Sequence, residues 1–374
     1  MDFELSEEQL AVSELAAQII GDRVTPERLG ELGDAIDLDT WSELAKANLL
    51  GISLSEEMGG SDLGFLTTAL ILQEVGRKVA PLPVLATIVM GAMPIDAFGG
   101  TALRKEILPA VISGDMILSC ALIEPGASPA APMTVATRDG DGWRLDGLKI
   151  CVPAGVDAHR ILVPASTESG GVGVFVVDPS ASGVKVTGQM TTTGYSEARL
   201  ELSGVKVAGS AVLGDPESDP QRGAEIVGWI EERTIAGICM FTAGLCQESL
   251  RLTGEYAKTR EQFDRPIGSF QAVAQRSADA YIDTEAVRLT ALQAAWRLGS
   301  GMDSAKAVSI AKYWAAEGGQ RVVAAAQHIH GGVGVDRDYP LHRYFLWAKS
   351  AELTLGGAAA HLQKVGVMLS QEPA

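Results

Sequence analysis

The sequence predicts an α+β protein in three successive parts, helical, then β, then helical again, and three observations carry this. Up to about residue 115 apolar residues recur at helical spacing, as in Trp41, Leu44 and Ala45 and in Leu66, Leu70, Ile71 and Val75. From about 117 to 220 short β-rich segments alternate with Gly and Asp turns. After Gly223 the chain returns to long Ala-rich stretches. The expected boundaries are an N-terminal helical domain over 1–116, a middle antiparallel β-domain over 117–220, and a C-terminal four-helix bundle over 221–374 that mediates oligomerisation.

Each element has its local reason. Ser6 precedes an acidic first turn and is placed to cap the first helix. Gly59-Gly60 and Pro81-Leu82-Pro83 read as loops between helices. Trp143–Ile150, Ile161–Val163, Val172–Val177 and Ala198–Leu202 read as strands of a small antiparallel barrel or sandwich. In the last part, Gly-Gly pairs at 318–319, 331–332 and 356–357 read as helix breaks. No period of roughly 20–50 residues marks a repeat architecture. With 374 residues, 47% of them hydrophobic, the chain is long enough to bury a sizeable core.

Composition excludes several classes. A net charge of −17 disfavours nucleic acid and anionic membranes as partners. Cys120, Cys151, Cys239 and Cys246 are scattered in apolar surroundings without a C-x-x-C pair, which suits buried free thiols and neither a metal site nor a disulfide. The acidic N-terminus has no signal-peptide pattern, and no uncharged run approaches the ~20 apolar residues of a membrane span. A cytoplasmic protein is expected.

Several motifs fall in a fixed order. Trp41–Gly51, Glu56–Gly60 and Gln73-Glu74-Val75-Gly76-Arg77 with Ala80-Pro81 lie in the first part, and Glu124-Pro125-Gly126-Ala127 in the second. Arg260-Glu261-Gln262-Phe263-Asp264-Arg265-Pro266-Ile267, Phe270-Gln271 and His330-Gly331-Gly332-Val333-Gly334 lie in the third. In order and spacing, nearly end to end, this resembles the acyl-CoA dehydrogenases. The tail His330–His342 is most similar to members acting in actinobacterial steroid side-chain degradation, several of which are heterotetramers of two unlike chains.

The resemblance implies an acyl-CoA dehydrogenase-like fold and α,β-desaturation of a CoA thioester, in which a carboxylate removes the α-proton as hydride passes to flavin N5. It also implies that Arg260, Gln262, Phe263, Ile267, Gln271, His328, Gly331 and Gly332 hold the ADP part of a FAD bound by a neighbouring subunit. Arg260 is a fork donor suited to phosphate, and the glycines let backbone approach the diphosphate. The family's Gln before the glycines falls here on His328, with Gln327 beside it.

Other parts of the family pattern are missing. The two positions where members carry the catalytic Glu are Leu355 and Thr234. Glu231 and Glu232 lie just ahead of Thr234, but a one-turn offset of about 5 Å exceeds what proton transfer tolerates. Polar contacts to the chain's own flavin fall on Ile123, Pro129, Cys151, Pro153, Gly357 and Ala359. The resulting expectation is a subunit without a catalytic residue of its own. It would complete the FAD site of a homologous catalytic partner in an α2β2 enzyme acting on a bulky, steroid side-chain type acyl-CoA. The partner would bind most of the substrate, and an electron-transfer flavoprotein is a candidate acceptor. Two alternatives stand beside this: a self-sufficient homotetrameric enzyme using Glu231, Glu232 or another base, and a flavin-free scaffold. His330 and His342 are expected to pack rather than catalyse, and Trp314, Tyr344, Phe345 and Trp347 to serve core or interface.

Overall fold

The computed structural model describes residues 4–168, 170–214, 216 and 219–371. Helix α1 (Glu7–Arg23) starts under a reciprocal cap in which Ser6 Oγ accepts from Gln9 N–H and Gln9 Oε1 accepts from Ser6 N–H. It is followed by α2 (Pro26–Leu32), α3 (Leu38–Lys46), α4 (Gly64–Lys78), a π-helical segment (Leu85–Ala92), α5 (Met93–Phe98) and α6 (Thr101–Ile112). The strands are β1 (Leu118–Cys120), β2 (Val135–Asp139), β3 (Gly142–Pro153), β4 (Arg160–Thr167), β5 (Val172–Val177), β6 (Val184–Gln189), β7 (Glu197–Val207) and β8 (Val212–Leu213). After them come α7 (Arg222–Thr259), the short strands β9 (Glu261–Gln262) and β10 (Arg265–Pro266), α8 (Gln271–Gly299), α9 (Ala305–His330), α10 (Leu341–Leu353) and α11 (Ala358–Gln371).

These elements form two compact units that ignore chain order. One combines the chain up to Glu31, Phe65–Ala80 and everything from Ile235 onward. The other combines Leu32–Gly64 with Pro81–Thr234.

In the second unit the strands form one eight-stranded sheet in the order β6-β7-β3-β2-β4-β5-β8, with β1 beside β4. All four expected strand segments fall inside β3, β4, β5 and β7. The sheet is mixed rather than purely antiparallel, because β1 and β2 both pair with β4 in parallel. Long connections separate those partners in sequence, and parallel pairing requires such crossovers, whereas the β2–β3 turn enforces antiparallel pairing. Strand β5 is buried at every position, while β7 alternates. Its core centres on Trp143 and Phe175, edge to face at 5.5 Å, with Leu145, Leu200 and Val205.

In the first unit α8, α10 and α11 all pack on α9, and α9 approaches α7 where Gly319 faces Thr242. The Gly318-Gly319 pair corrects an expectation: it does not break a helix but lies inside α9. A Cβ on Gly319 would come within 2.9 Å of the Thr242 side chain, and one on Gly318 within 3.3 Å of Val287 and Trp314. Close packing against α7 and α8 therefore outweighs the roughly 1 kcal/mol of helix propensity that glycine forfeits. The other two pairs do lie between helices: Gly331, with φ 61°, caps α9, and Gly356, with φ 101°, stands in the loop between α10 and α11.

Where α4 meets α7 the backbones touch. A Cβ on Gly76 would lie 1.9 Å from the Phe241 carbonyl oxygen, and one on Gly244 would lie 1.8 Å from that of Gln73. Both obstacles are main chain and cannot swing aside. Gly244→Ala is therefore expected to destabilise the protein by about 1–3 kcal/mol or more, read as a lower urea midpoint. Gly254→Ala in the same helix, where a Cβ meets nothing within 4 Å, is the control and should be neutral or mildly stabilising.

Candidate functional site

The end of α7 turns back through a tight hairpin. Arg260 N–H donates to Tyr256 O at 2.8 Å, Ile267 N–H donates to Arg260 O at 2.8 Å, and Gln262 pairs with Arg265. The two tip residues, Phe263 and Asp264, have φ 55° and 60°, as a two-residue hairpin with matching twist requires. Arg260, Gln262, Phe263 and Gln271 are exposed, and Ile267 is half-buried. Phe263 keeps 86% of its surface in solvent. Phe270 braces the turn, with the Arg265 guanidinium 4.1 Å above its ring.

The end of α9 is tied to the same place. His330 is buried, stacks on Tyr256 at 4.3 Å, and bonds through its two ring nitrogens to Ala326 O (2.8 Å) and Tyr339 Oη (3.1 Å). Burial holds its imidazole below the ordinary histidine range, against the Ala326 bond. His342 Nδ1 contacts Tyr339 O at 2.7 Å. Since Tyr256 carries His330 on its ring and Arg260 N–H on its carbonyl, Arg260 and Gly331-Gly332 are brought to one locality. Both glycines are exposed, with open space where a Cβ would stand. His328 is exposed as well, while Gln327 is half-buried and donates to Gly334 O at 3.0 Å.

The two positions expected for a base are Thr234 and Leu355. Thr234 is 1% exposed, and its hydroxyl donates to Ile230 O at 2.7 Å within its own helix. Glu231 and Glu232 are half-buried on the same helix. Leu355 lies between α10 and α11 with φ 56°. That loop is fixed from two sides. The buried His361 meets Leu355 O through Nε2 at 3.0 Å, and the fully buried Lys312 donates to Ala351 O (2.6 Å) and Glu352 O (3.0 Å), neutralising the end of α10. Burial pushes Lys312 down to about 8 and His361 down to about 4. Gly357 and Ala359 add no polar side chain there.

In the β unit, groups near the Ile123–Pro129 loop are satisfied internally. Ile150 N–H donates to Ile123 O at 3.0 Å, Cys151 N–H to Gln189 Oε1 at 2.8 Å, and Ser119 Oγ to Pro153 O at 2.5 Å. Glu124 is buried and accepts from Met133 N–H (2.6 Å), Thr134 Oγ1 (2.7 Å) and Lys149 Nζ (2.5 Å). Burial would raise its carboxyl, but Lys149, Thr134 and Met133 outweigh it and hold the carboxyl below its usual range. The residues present therefore do not fit a side-chain grip on a flavin ring. The guanidinium, imidazole and glycine backbone around Arg260 and Gly331 do fit a diphosphate.

Two pairings escaped sequence reasoning: Glu124–Lys149, and Arg276 with His328, whose Nη1 and Nδ1 meet at 2.5 Å. A lysine between Leu148 and Ile150 was the only hint of the first. Cys120, Cys239 and Cys246 are buried, Cys151 is half-buried, and all four are free. Burial pushes the Cys120 and Cys239 thiols up to about 12. Among the described residues no group of three or more His, Cys, Asp or Glu is placed to hold a metal ion. No described helix is long and apolar enough to cross a membrane.

Comparison with known proteins adds the following. Residues 6–115 match the family model "Acyl-CoA dehydrogenase, N-terminal domain", and residues 223–367 match "Acyl-CoA dehydrogenase, C-terminal domain". The chain is 39% identical to Acyl-CoA dehydrogenase FadE27 of Mycobacterium tuberculosis, covering 100% of both proteins. It resembles a chain of the ChsE4-ChsE5 complex from Mycobacterium tuberculosis with a TM-score of 0.94 at 39% identity, covering 100% of each chain. It also resembles a chain of a variant of the Tcur3481-Tcur3483 steroid ACAD with a TM-score of 0.90 at 39% identity, covering 98% of each.

Proposed function

Because the chain belongs to the acyl-CoA dehydrogenase family of flavoprotein oxidoreductases, we propose that it is a non-catalytic subunit that completes the FAD site of a homologous catalytic partner. The contrast between two sets of positions carries this reading. Those that would serve a neighbour's cofactor are exposed on one unit, with Arg260, Phe263, Gln271, His328, Gly331 and Gly332 available at its surface. Those that would serve this chain's own chemistry hold Thr234 and Leu355 instead of a carboxylate, and Ile123, Pro129, Cys151, Pro153, Gly357 and Ala359 instead of polar contacts.

In the assembled enzyme Arg260, His328 and the Gly331-Gly332 backbone would hold the diphosphate, with Phe263 and Ile267 as apolar walls and Gln262 and Gln271 as hydrogen-bonding groups. FAD would supply hydride acceptance at the partner's acyl chain, and the partner would supply the base. The ChsE4-ChsE5 complex and the Tcur3481-Tcur3483 steroid ACAD support an assembly of two unlike chains and a steroid-type CoA ester as substrate. The C-terminal part from 221 onward would provide the contacts between subunits, and an electron-transfer flavoprotein would take the electrons.

Flavin counting tests this. Purified alone, given excess FAD and freed of unbound cofactor, the chain should be colourless. Co-purified with its partner it should yield one FAD for each pair of unlike chains. A yellow chain with one FAD per protomer and turnover on a thioester would overturn the proposal in favour of a self-sufficient enzyme.

A further inference from the structure

Resting on the lent half-site, we propose that Arg276 is a positioning residue that fixes His328 as a hydrogen-bond donor toward the diphosphate of the partner's FAD. Resembling sequences carry a Gln before the two glycines, and an amide can present N–H to a phosphate. A histidine can do so reliably only if its proton stands on the right nitrogen, because a neutral imidazole has one donor and one acceptor.

The geometry around Arg276 makes that choice. A guanidinium has only donors, so its Nη1 at 2.5 Å from His328 Nδ1 obliges Nδ1 to accept. The ring proton of a neutral His328 then stands on Nε2. The contact joins residues 52 apart in sequence, one on α8 and one on α9, both exposed. Gln327, the other candidate for the amide's role, is half-buried and already donates one N–H to Gly334 O at 3.0 Å, whereas His328 is exposed. Among the described residues no salt bridge draws the Arg276 guanidinium away from His328.

The test uses the complex of this chain with its catalytic partner, stripped of flavin and titrated with FAD. Arg276→Met should weaken FAD binding about tenfold, the loss of one charge-assisted bond, with an unchanged melting temperature because the pair is exposed. His328→Gln replaces the imidazole by an amide, and its own FAD affinity is the reference for the double variant. In that background Arg276→Met should have little further effect, since an amide needs no partner to present N–H. Arg276→Lys should recover part of the loss. The proposal is overturned if Arg276→Met leaves FAD affinity intact, or if the loss is equally large in the His328→Gln background, which would mark a bare charge effect. A complex that holds no FAD, or whose FAD is indifferent to Arg260→Ala, would instead sink the half-site reading on which this one rests.

Discussion

Replacing Arg260 by alanine is expected to empty the flavin site of the assembled complex while leaving the chain folded. Its side chain is exposed on a hairpin held by backbone bonds, Arg260 N–H to Tyr256 O and Ile267 N–H to Arg260 O, which the substitution leaves in place. Among the described residues the guanidinium forms no salt bridge, so folding loses little when it is removed. On the proposed reading, a partner closing over it would leave the same group facing a diphosphate in a dry interface. Truncating one side of such a pair costs about 2–5 kcal/mol, a weakening of roughly 30-fold or more in FAD affinity. Arg260→Lys should restore charge but not the two-pronged geometry, and so recover only part of the binding. Retention of full flavin by the Arg260→Ala complex in equilibrium dialysis would contradict the assigned role.

The second large effect is expected in the β unit. Lys149 is fully buried, donating to Glu124 and to Pro164 O at 2.7 Å. Lys149→Met leaves the buried Glu124 carboxylate without its counter-charge and should destabilise this unit by about 3–5 kcal/mol, read by urea unfolding at neutral pH. The pH dependence follows from the sign of the Glu124 shift. Its folded carboxyl lies below its ordinary value, so its contribution is complete above the unfolded value and is lost only as pH falls through the depressed one. In Lys149→Met burial remains and the ammonium is gone, so the folded carboxyl rises, the acid-driven loss of stability seen in the parent should shrink or reverse, and the stability gap between the two proteins should narrow as pH falls. Identical acid profiles for the two proteins would rule this out.

What was legible in the sequence was written locally. The Ser6 cap, the strand Val172–Val177 and the Gly-Gly pairs after α9 and before α11 each depend on a few neighbouring residues. Gly318-Gly319 was misread because the same local signal, two glycines, serves either a break or a close helix contact, and only the side chains of Thr242 and Val287 decide which. The parallel pairing of β4 with β1 and β2 could not be read, since alternation of apolar residues does not record strand direction. At the candidate site the individual residues were visible as a spaced pattern. Their surroundings were not: Tyr256 beneath His330, Lys312 at the end of α10, and Arg276 beside His328 are pairings over 39 residues or more.

The interleaving of the two units also has a consequence during synthesis. Helix α4 is emitted early, with Phe65, Leu70, Ile71, Leu72 and Val75 destined for burial, yet its unit is completed only from Ile235 onward. Glycine contact with α7 cannot form until more than 150 further residues have been made. At about 5–20 residues per second that is a wait of roughly 10–30 seconds with a greasy helix unpaired on the ribosome. The exposed apolar face of α4 during that wait is where misfolding and aggregation would compete with folding of this chain.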